Sequence, residues 1–433
     1  MFISDNLSVN EEGHLTVSGA DTVELAEKYG TPLYVMDENL LRENCRSFKS
    51  SIDKYYGGNG LVCFASKAFC CKAMCRLALE EGIGLDVASI GELYTALSVG
   101  FSPEKLCFHG NNKTDEEIRY ALESRIGHIV VDNVYELNRL NELAEESGIV
   151  ANIMYRIKPG IDAHTHSFIM TGQIDSKFGF ALETGEAYEA VKKALSLKNI
   201  RLVGLHCHIG SQIFDIDPFV KAAEVMLDFI AKIKDELGYE TEQLDLGGGF
   251  GIRYTDEDNP VGYDKYMERV SARVKEICRE KNLKQPFILI EPGRSIAGPA
   301  GLTLYKAGGK KTIPNIRTYV SIDGGMGDNP RYALYQSKYD AVVANKAGLE
   351  RTETITLAGK CCETDDLIGE GMKIQPVEVG DIIAVLATGA YNYSMSSNYN
   401  RIPKPAVVFV NGDSSRVVVK RETLEDIVRN DVE

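Results

Sequence analysis

Eight short apolar runs recur between Leu61 and Ile290, most of them ending in a polar or glycine-rich motif. They are Leu61–Ala65 before Ser66-Lys67, Leu85–Ala88, Leu106–Phe108 before His109-Gly110-Asn111, and His128–Val131 before Asp132-Asn133. Four more follow: Ala151–Ile157, Leu202–Cys207 before His208-Ile209-Gly210-Ser211, Gln243–Leu246 before Gly247-Gly248-Gly249, and Phe287–Ile290 before Glu291-Pro292-Gly293-Arg294. Most runs lead into a helix-like stretch. Strands alternating with helices predict βα units and a parallel sheet, and eight in one stretch predict an α/β fold built on a closed (β/α)8 barrel. Chemistry in such barrels sits at the carboxyl ends of the strands, where these motifs fall.

Several helices carry their own boundaries. Thr114 with Glu117 forms a capping box for a helix through Ala121. Asp217 followed by Pro218 reads as an N-cap with proline in the first helical position, opening a long segment through Ile233. Gly82, Gly100, Gly148 and Gly238 fall where helices should stop in a left-handed residue. The longest interruption, Gly160 to Ser176, is rich in Asp, His, Thr and Ser, and a loop of that length beyond a barrel strand is expected to be functional.

A barrel needs roughly 250 residues, so the 433-residue chain has material for a second domain. The tail carries strand signals at Arg317–Ile322, Glu353–Leu357, Asp381–Leu386, Ala406–Val410 and Arg416–Val419, punctuated by Gly and Pro. The expected division is an N-terminal segment, 1–36, joining a β-rich domain of residues 301–433, with the barrel at 37–300.

Charge narrows the partners. The net charge is −15, from 48 basic and 63 acidic side chains, without a basic run, which disfavours a nucleic-acid partner. No apolar stretch approaches the roughly 20 residues that span a bilayer, and the amino terminus lacks a signal-peptide pattern. Ten cysteines without a C-x-x-C pair fit a reducing cytoplasm, with neither structural disulfides nor zinc. His206 and His208 have strand spacing for a metal pair, since alternate strand residues share a face, but no Cys or carboxylate cluster is expected to join them, so no metal is expected.

The strand ends suggest one cofactor. Alternation puts residues 63, 65 and 67 on one face, and if that face points into the barrel, Lys67 is desolvated enough to attack a carbonyl and form a Schiff base. The bare backbone of Gly247, Gly248 and Gly249, with Gly210 and the hydroxyl of Ser211, suits a phosphate monoester. His208 offers a flat face for stacking, and Glu291 a carboxylate for a ring nitrogen, with Arg294 as a nearby cation. A lysine, a phosphate cradle, a stacking ring and a carboxylate are what pyridoxal 5'-phosphate asks of a protein.

From about Pro32 to about Val410 the chain resembles the fold-type III pyridoxal-phosphate decarboxylases, and among them the diaminopimelate decarboxylases. The motifs include Ser66-Lys67-Ala68, Asp86-Val87-Ala88-Ser89, His109-Gly110-Asn111 with Lys113, Ser176-Lys177-Phe178-Gly179, His206 through Gln212, and Glu291 to Arg294. The tail adds Asp323-Gly324-Gly325-Met326, Arg331 with Ala333-Leu334-Tyr335, Cys362-Glu363, Gly389-Ala390-Tyr391 and Ser397-Asn398-Tyr399-Asn400. The resemblance implies the alanine racemase/ornithine decarboxylase-like fold, a barrel plus a β domain.

It also implies decarboxylation of meso-2,6-diaminopimelate to L-lysine, the last step of lysine synthesis. Lys67 would hold the cofactor, His208 would stack on it and Glu291 would pair with the ring nitrogen. Asp86, Ser211, Gly247, Gly248, Gly249, Pro292, Gly293, Arg294 and Tyr391 would complete the cofactor site. Cys362 would be the general acid, and Arg294, Arg331, Tyr335, Glu363 and Tyr391 would hold the substrate. A homodimer with shared active sites follows, because in the family Cys362 and Glu363 serve the neighbouring subunit's pocket. Two departures stand out: Cys361 lies beside Cys362, and only the family's Cys-Glu order selects the latter; Phe69 replaces an asparagine common among relatives. His164 and His166 acquire no role.

Three other readings share the scaffold. A decarboxylase acting on ornithine, arginine or carboxynorspermidine would differ at the distal site, where Arg331 repels a cationic tail. A racemase of the alanine racemase type would place an arginine against the ring nitrogen, where this chain has Glu291. A catalytically silent relative would not need both Lys67 and Cys362.

Overall fold

The structure, a computed structural model, describes residues 2–161 and 175–433. The Gly160 to Ser176 interruption, with His164 and His166, lies largely outside the described residues.

All eight predicted runs are strands: Gly60–Ala65, Gly84–Val87, Leu106–Phe108, His128–Val131, Ala151–Lys158, Ile200–Cys207, Gln243–Asp245 and Phe287–Ile290. Each pairs in parallel with the next, and the eighth returns to the first through Ile288 opposite Gly60, so the sheet is a closed barrel. A two-residue strand, Phe180–Ala181, adds to the fifth. Cys63, Cys107, Val130, Met154, Val203 and Leu289 fill the barrel interior with side chains from six strands, so the lumen is a packed core.

The helix signals mostly hold. The Thr114 capping box opens Asp115–Glu123, and Gly82, Gly100, Gly148 and Gly238 all take positive φ. The cap at Asp217 needs correction. Ile216 is the N-cap, Asp217 is the first helical residue and Pro218 the second, because Ile216 is itself in right-handed helical conformation.

The chain divides into two compact units. One, containing the barrel, is Asn44–Gly251 with Pro260–Gly293; the other is Met1–Glu43, Ile252–Asn259 and Arg294–Glu433. The second unit is β-rich. Its long sheet runs in the order Leu367–Ile374, Glu353–Ala358, Arg317–Ile322, Gly301–Ile313, Leu33–Asp37, Ala406–Asn411, Ser414–Val419. Ile382–Val385 also pairs with Gly301–Ile313. Leu33–Asp37 is a central strand, antiparallel to Gly301–Ile313 and parallel to Ala406–Asn411, and all five of its residues are buried. A three-stranded sheet of Leu7–Val9, Leu15–Val17 and Ala20–Asp21 precedes it. Thus the N-terminal segment and the tail share one core, which includes Leu15, Leu33, Val35, Leu304, Val320 and Val408.

Candidate active site

Lys67 does not continue the first strand. The strand stops at Ala65, and Ser66–Ala68 form a 3-10 turn closed by the Phe69 N–H donating to Ser66 O at 3.0 Å. Ser66 Oγ donates to Asp86 O at 2.6 Å, which pins this turn to the second strand. Period-two alternation therefore ends before Lys67, and the turn leaves this side chain exposed where the pattern predicts an inward-facing, desolvated one. Its ammonium favours the charged form of buried Asp86 and disfavours that of His208.

Glu291, just past the eighth strand, is 7% exposed. His109 Nε2 stands 2.6 Å from its Oε1, and His206 Nε2 lies 3.2 Å from its Oε2. Burial pushes this carboxyl up, but His109 and His206 outweigh it and hold Glu291 well below the usual carboxylate range. His206, wholly buried, is pushed down to about 4, mainly by burial, so it is a neutral imidazole donating Nε2–H to Glu291. Asp86 and Asp245 are both pushed up, first by burial and, among the other causes, by the charge of Glu291.

The glycine triplet lies between the loops carrying His208 and Glu291. Gly247 N–H donates to Asp245 Oδ1 at 2.8 Å, Gly248 N–H to His208 Nδ1 at 3.3 Å, and Glu291 N–H to Gly247 O at 2.9 Å. A Cβ on Gly248 would come 2.1 Å from Glu291 O, and one on Gly249 2.4 Å from Gly210 O. Glycine is needed here for loop packing. Two of the triplet's N–H groups are directed into the protein, which narrows what the triplet can offer a phosphate. His208 is held well below the usual histidine range, first by burial and then by Lys67 and Arg156, so its ring is neutral and suited to stacking.

The β-rich unit holds a separate cluster. The Tyr254 hydroxyl accepts from Arg294 Nη1 at 2.5 Å and from Arg331 Nη1 at 3.4 Å. Both guanidiniums also lie over the Tyr391 ring, at 4.9 and 5.4 Å from its centroid, and Arg331 lies 5.8 Å from that of Tyr335. Arg294 and Arg331 are each 7% exposed. Sequence reasoning missed Tyr254, since nothing in Ile252-Arg253-Tyr254 marks a tyrosine that two arginines will share.

Cys362 and Glu363 lie on an exposed loop. Cys362 N–H donates to Asn400 Oδ1 at 2.7 Å, and Tyr399 OH donates to Glu363 Oε2 at 3.3 Å. Cys361 is half-buried, and burial followed by Asp366 pushes its thiol up to about 11.

The barrel-unit residues fit pyridoxal phosphate. Glu291 is a buried anion able to accept from a protonated ring nitrogen, His208 is a neutral ring, and Lys67 is an accessible amine. The family profile described as pyridoxal-dependent decarboxylase, pyridoxal binding domain, matches residues 38–298. A diaminopimelate decarboxylase of Bacillus methanolicus is 51% identical over 98% of both chains, and that of Bacillus subtilis 50% identical over 100% of this chain and 98% of its own. The chain belongs to the diaminopimelate decarboxylase family. Among solved diaminopimelate decarboxylases, the M. jannaschii structure in complex with L-lysine superposes with a TM-score of 0.93 at 35% identity, covering 100% of this chain and 99% of that one. The Helicobacter pylori diaminopimelate decarboxylase, also complexed with L-lysine, gives 0.86 at 31%, covering 94% and 98%. Diaminopimelate decarboxylases thus match both the barrel and the β-rich unit.

Proposed function

We propose that this protein removes one carboxyl group from meso-2,6-diaminopimelate, releasing CO2 and L-lysine, with pyridoxal 5'-phosphate as cofactor. The observation that carries the reading is the full-length identity to diaminopimelate decarboxylases together with Glu291, a buried carboxylate kept ionised by two histidines. Bound pyridoxal phosphate supplies an electron sink for the pair left behind when CO2 departs.

The chain's residues do the rest. Lys67 holds the cofactor through its amine, and Glu291 accepts from the ring nitrogen and keeps it protonated. His208 presents its flat face, and Asp86 completes the polar wall beside Lys67. Ser211, the Gly247–Gly249 loop, the backbone of Pro292, Gly293 and Arg294, and Tyr391 bind the phosphate. Arg294 and Arg331 match carboxylates in the bidentate geometry of guanidinium, with Tyr335 and Tyr391 beside them. Cys362 delivers a proton to the carbon that lost CO2, and Glu363 pairs with the distal ammonium.

The partner is a second copy of the chain. Cys362 and Glu363, both exposed on one loop, serve the site of a homodimer's other subunit. The compartment is the cytoplasm; among the described residues no helix is long and apolar enough to cross a membrane.

The experiment is CO2 release by the holoenzyme from meso-diaminopimelate, ornithine, arginine and carboxynorspermidine. Release from meso-diaminopimelate alone, with lysine in equal amount, is expected. Release from another substrate would overturn the distal roles of Glu363 and Arg331, and release from none would overturn the activity.

A further inference from the structure

Four strand ends meet around Glu291. His109 follows the third strand, His206 lies on the sixth, Asp245 ends the seventh, and all are buried with one coordinating atom each within 4.8 Å of the others. The imidazoles of His109 and His206 meet edge to face at 4.9 Å. Behind His109, its N–H donates to Val87 O at 2.8 Å, and Lys113 Nζ donates to Gly110 O at 2.9 Å, to Val130 O at 2.7 Å and to Glu136 at 2.7 Å. Asp245 Oδ1 accepts from Gly247 N–H, while Oδ2 has no hydrogen-bond partner among the described residues.

Two histidines and two carboxylates invite a metal reading, and distance argues against it. Ligands about 2.0–2.2 Å from a tetrahedral ion stand roughly 3.3 Å apart. His109 Nε2 and Glu291 Oε1 are 2.6 Å apart, in direct contact and closer than two ligands of one ion stand, although the ring N–H is not aligned on that oxygen as a regular hydrogen bond.

We propose that His109 and His206 are positioning residues that grip the two oxygens of Glu291 separately, fixing the direction and charge of that carboxylate for the cofactor's ring nitrogen. A carboxylate held at one oxygen can rotate out of plane, and a buried one without donors takes up a proton. Gripped at both oxygens, it does neither. The other groups facing this cluster are Asp86, whose Oδ1 lies 3.7 Å from His109 Nε2, with Asp132, Arg156, His128, His208 and the thiols of Cys63, Cys107 and Cys207; within the cluster the burial-driven rise of Asp245, reinforced by Glu291, leaves Glu291 as the ionised member of the two carboxyls. The proposal rests on the reading that Glu291 pairs with the ring nitrogen.

The test loads the apoprotein with pyridoxal phosphate carrying nitrogen-15 in its ring and follows that nitrogen's NMR shift against pH. Glu291→Gln examines the underlying reading alone: the nitrogen should lose its proton at neutral pH, and if it does not, the role of Glu291 fails. Given that loss, His109→Leu and His206→Leu should each lower the nitrogen's titration midpoint by about one unit. Each should also cut kcat by roughly 10- to 100-fold, with little change in KM. His109→Gln and His206→Gln keep an N–H donor and should fall less, in the same direction. Leucine variants with a wild-type midpoint overturn the proposal and leave Glu291's role standing. If the leucine variants do not fold, a wild-type midpoint and kcat in both glutamine variants overturn it. Stoichiometric zinc uptake by the wild-type apoprotein, abolished by His109→Gln, would instead make the cluster a cation site.

Discussion

Arg294 Nη1 donates to the Tyr254 hydroxyl at 2.5 Å, and Arg331 Nη1 reaches the same oxygen at 3.4 Å. Burial pushes this phenol up, but the two guanidiniums outweigh it and bring Tyr254 below the ordinary tyrosine range. The hydroxyl therefore spaces two cations that would otherwise repel. Tyr254→Phe should raise KM for diaminopimelate about tenfold, the worth of one hydrogen bond to a charged group, and change kcat much less. Steady-state kinetics decide it, and an unchanged KM would show that Tyr254 does not support the substrate role proposed for Arg294 and Arg331.

The adjacent cysteines should separate cleanly. Cys362 is exposed, whereas Cys361 is half-buried with its thiol raised to about 11. Cys362→Ala should lower kcat by roughly 100-fold or more while the visible absorbance of bound cofactor persists. Cys361→Ala should turn over nearly as the wild type. The reverse pattern would transfer the general-acid role to Cys361.

Asp328 makes stability depend on pH. It is buried, accepts from Tyr305 OH and from Gly325 N–H, and burial raises it to about 7. An unfolded aspartate titrates near 3.8. Below that value both states are protonated and Asp328 costs nothing. As pH rises from about 4 to about 7 the unfolded chain loses a proton that the fold retains, so stability falls, by up to about 4 kcal/mol, and levels off above. Denaturant melts from pH 4 to 8 should show Asp328→Asn without this component of the slope, and parallel curves would refute it.

Lys113 and Glu136 form an ion pair whose side chains are 2% and 3% exposed. Breaking such a pair from one side strands a buried charge and costs about 3–5 kcal/mol. Lys113→Met should therefore lower the unfolding midpoint more than Lys113→Met with Glu136→Gln. It should also weaken cofactor binding, because Lys113 anchors Gly110, next to His109. A calorimetric melt and a cofactor titration read the two effects separately.

Gly248→Ala tests the loop packing. Its Cβ would stand 2.1 Å from Glu291 O, so the Glu291 backbone must yield by roughly 1 Å, a displacement that can lower turnover about 100-fold. Wild-type turnover in this variant would show that Glu291's position tolerates the shift.

The barrel was legible because parallel strands buried on both faces are written as unbroken apolar runs, and eight of them, such as Leu106–Phe108 and Phe287–Ile290, survive in a single sequence. The glycines that end helices were equally legible, since only local torsion is involved. Lys67 was misplaced because period-two alternation stops with the strand, and whether Ser66 extends it or turns depends on a hydrogen bond to Asp86 O, a residue of the next strand. The Ile216 cap was missed for a similar reason, the residue before a plausible Asp-Pro start being helical already.

The sequence alone determined which chemistry the chain carries: an amine, a carboxylate, flat rings and bare glycines, each at the end of a run that must be a strand. Tertiary structure decided which of them meet. His109, His206, Asp245 and Glu291 converge because closing the barrel brings together strand ends far apart in sequence. Tyr254 joins Arg294 and Arg331 because Ile252–Asn259 leaves the barrel unit to pack with the β-rich one. Local spacing fixes a residue's face, but charge and direction at a site are set by neighbours that only long-range closure supplies.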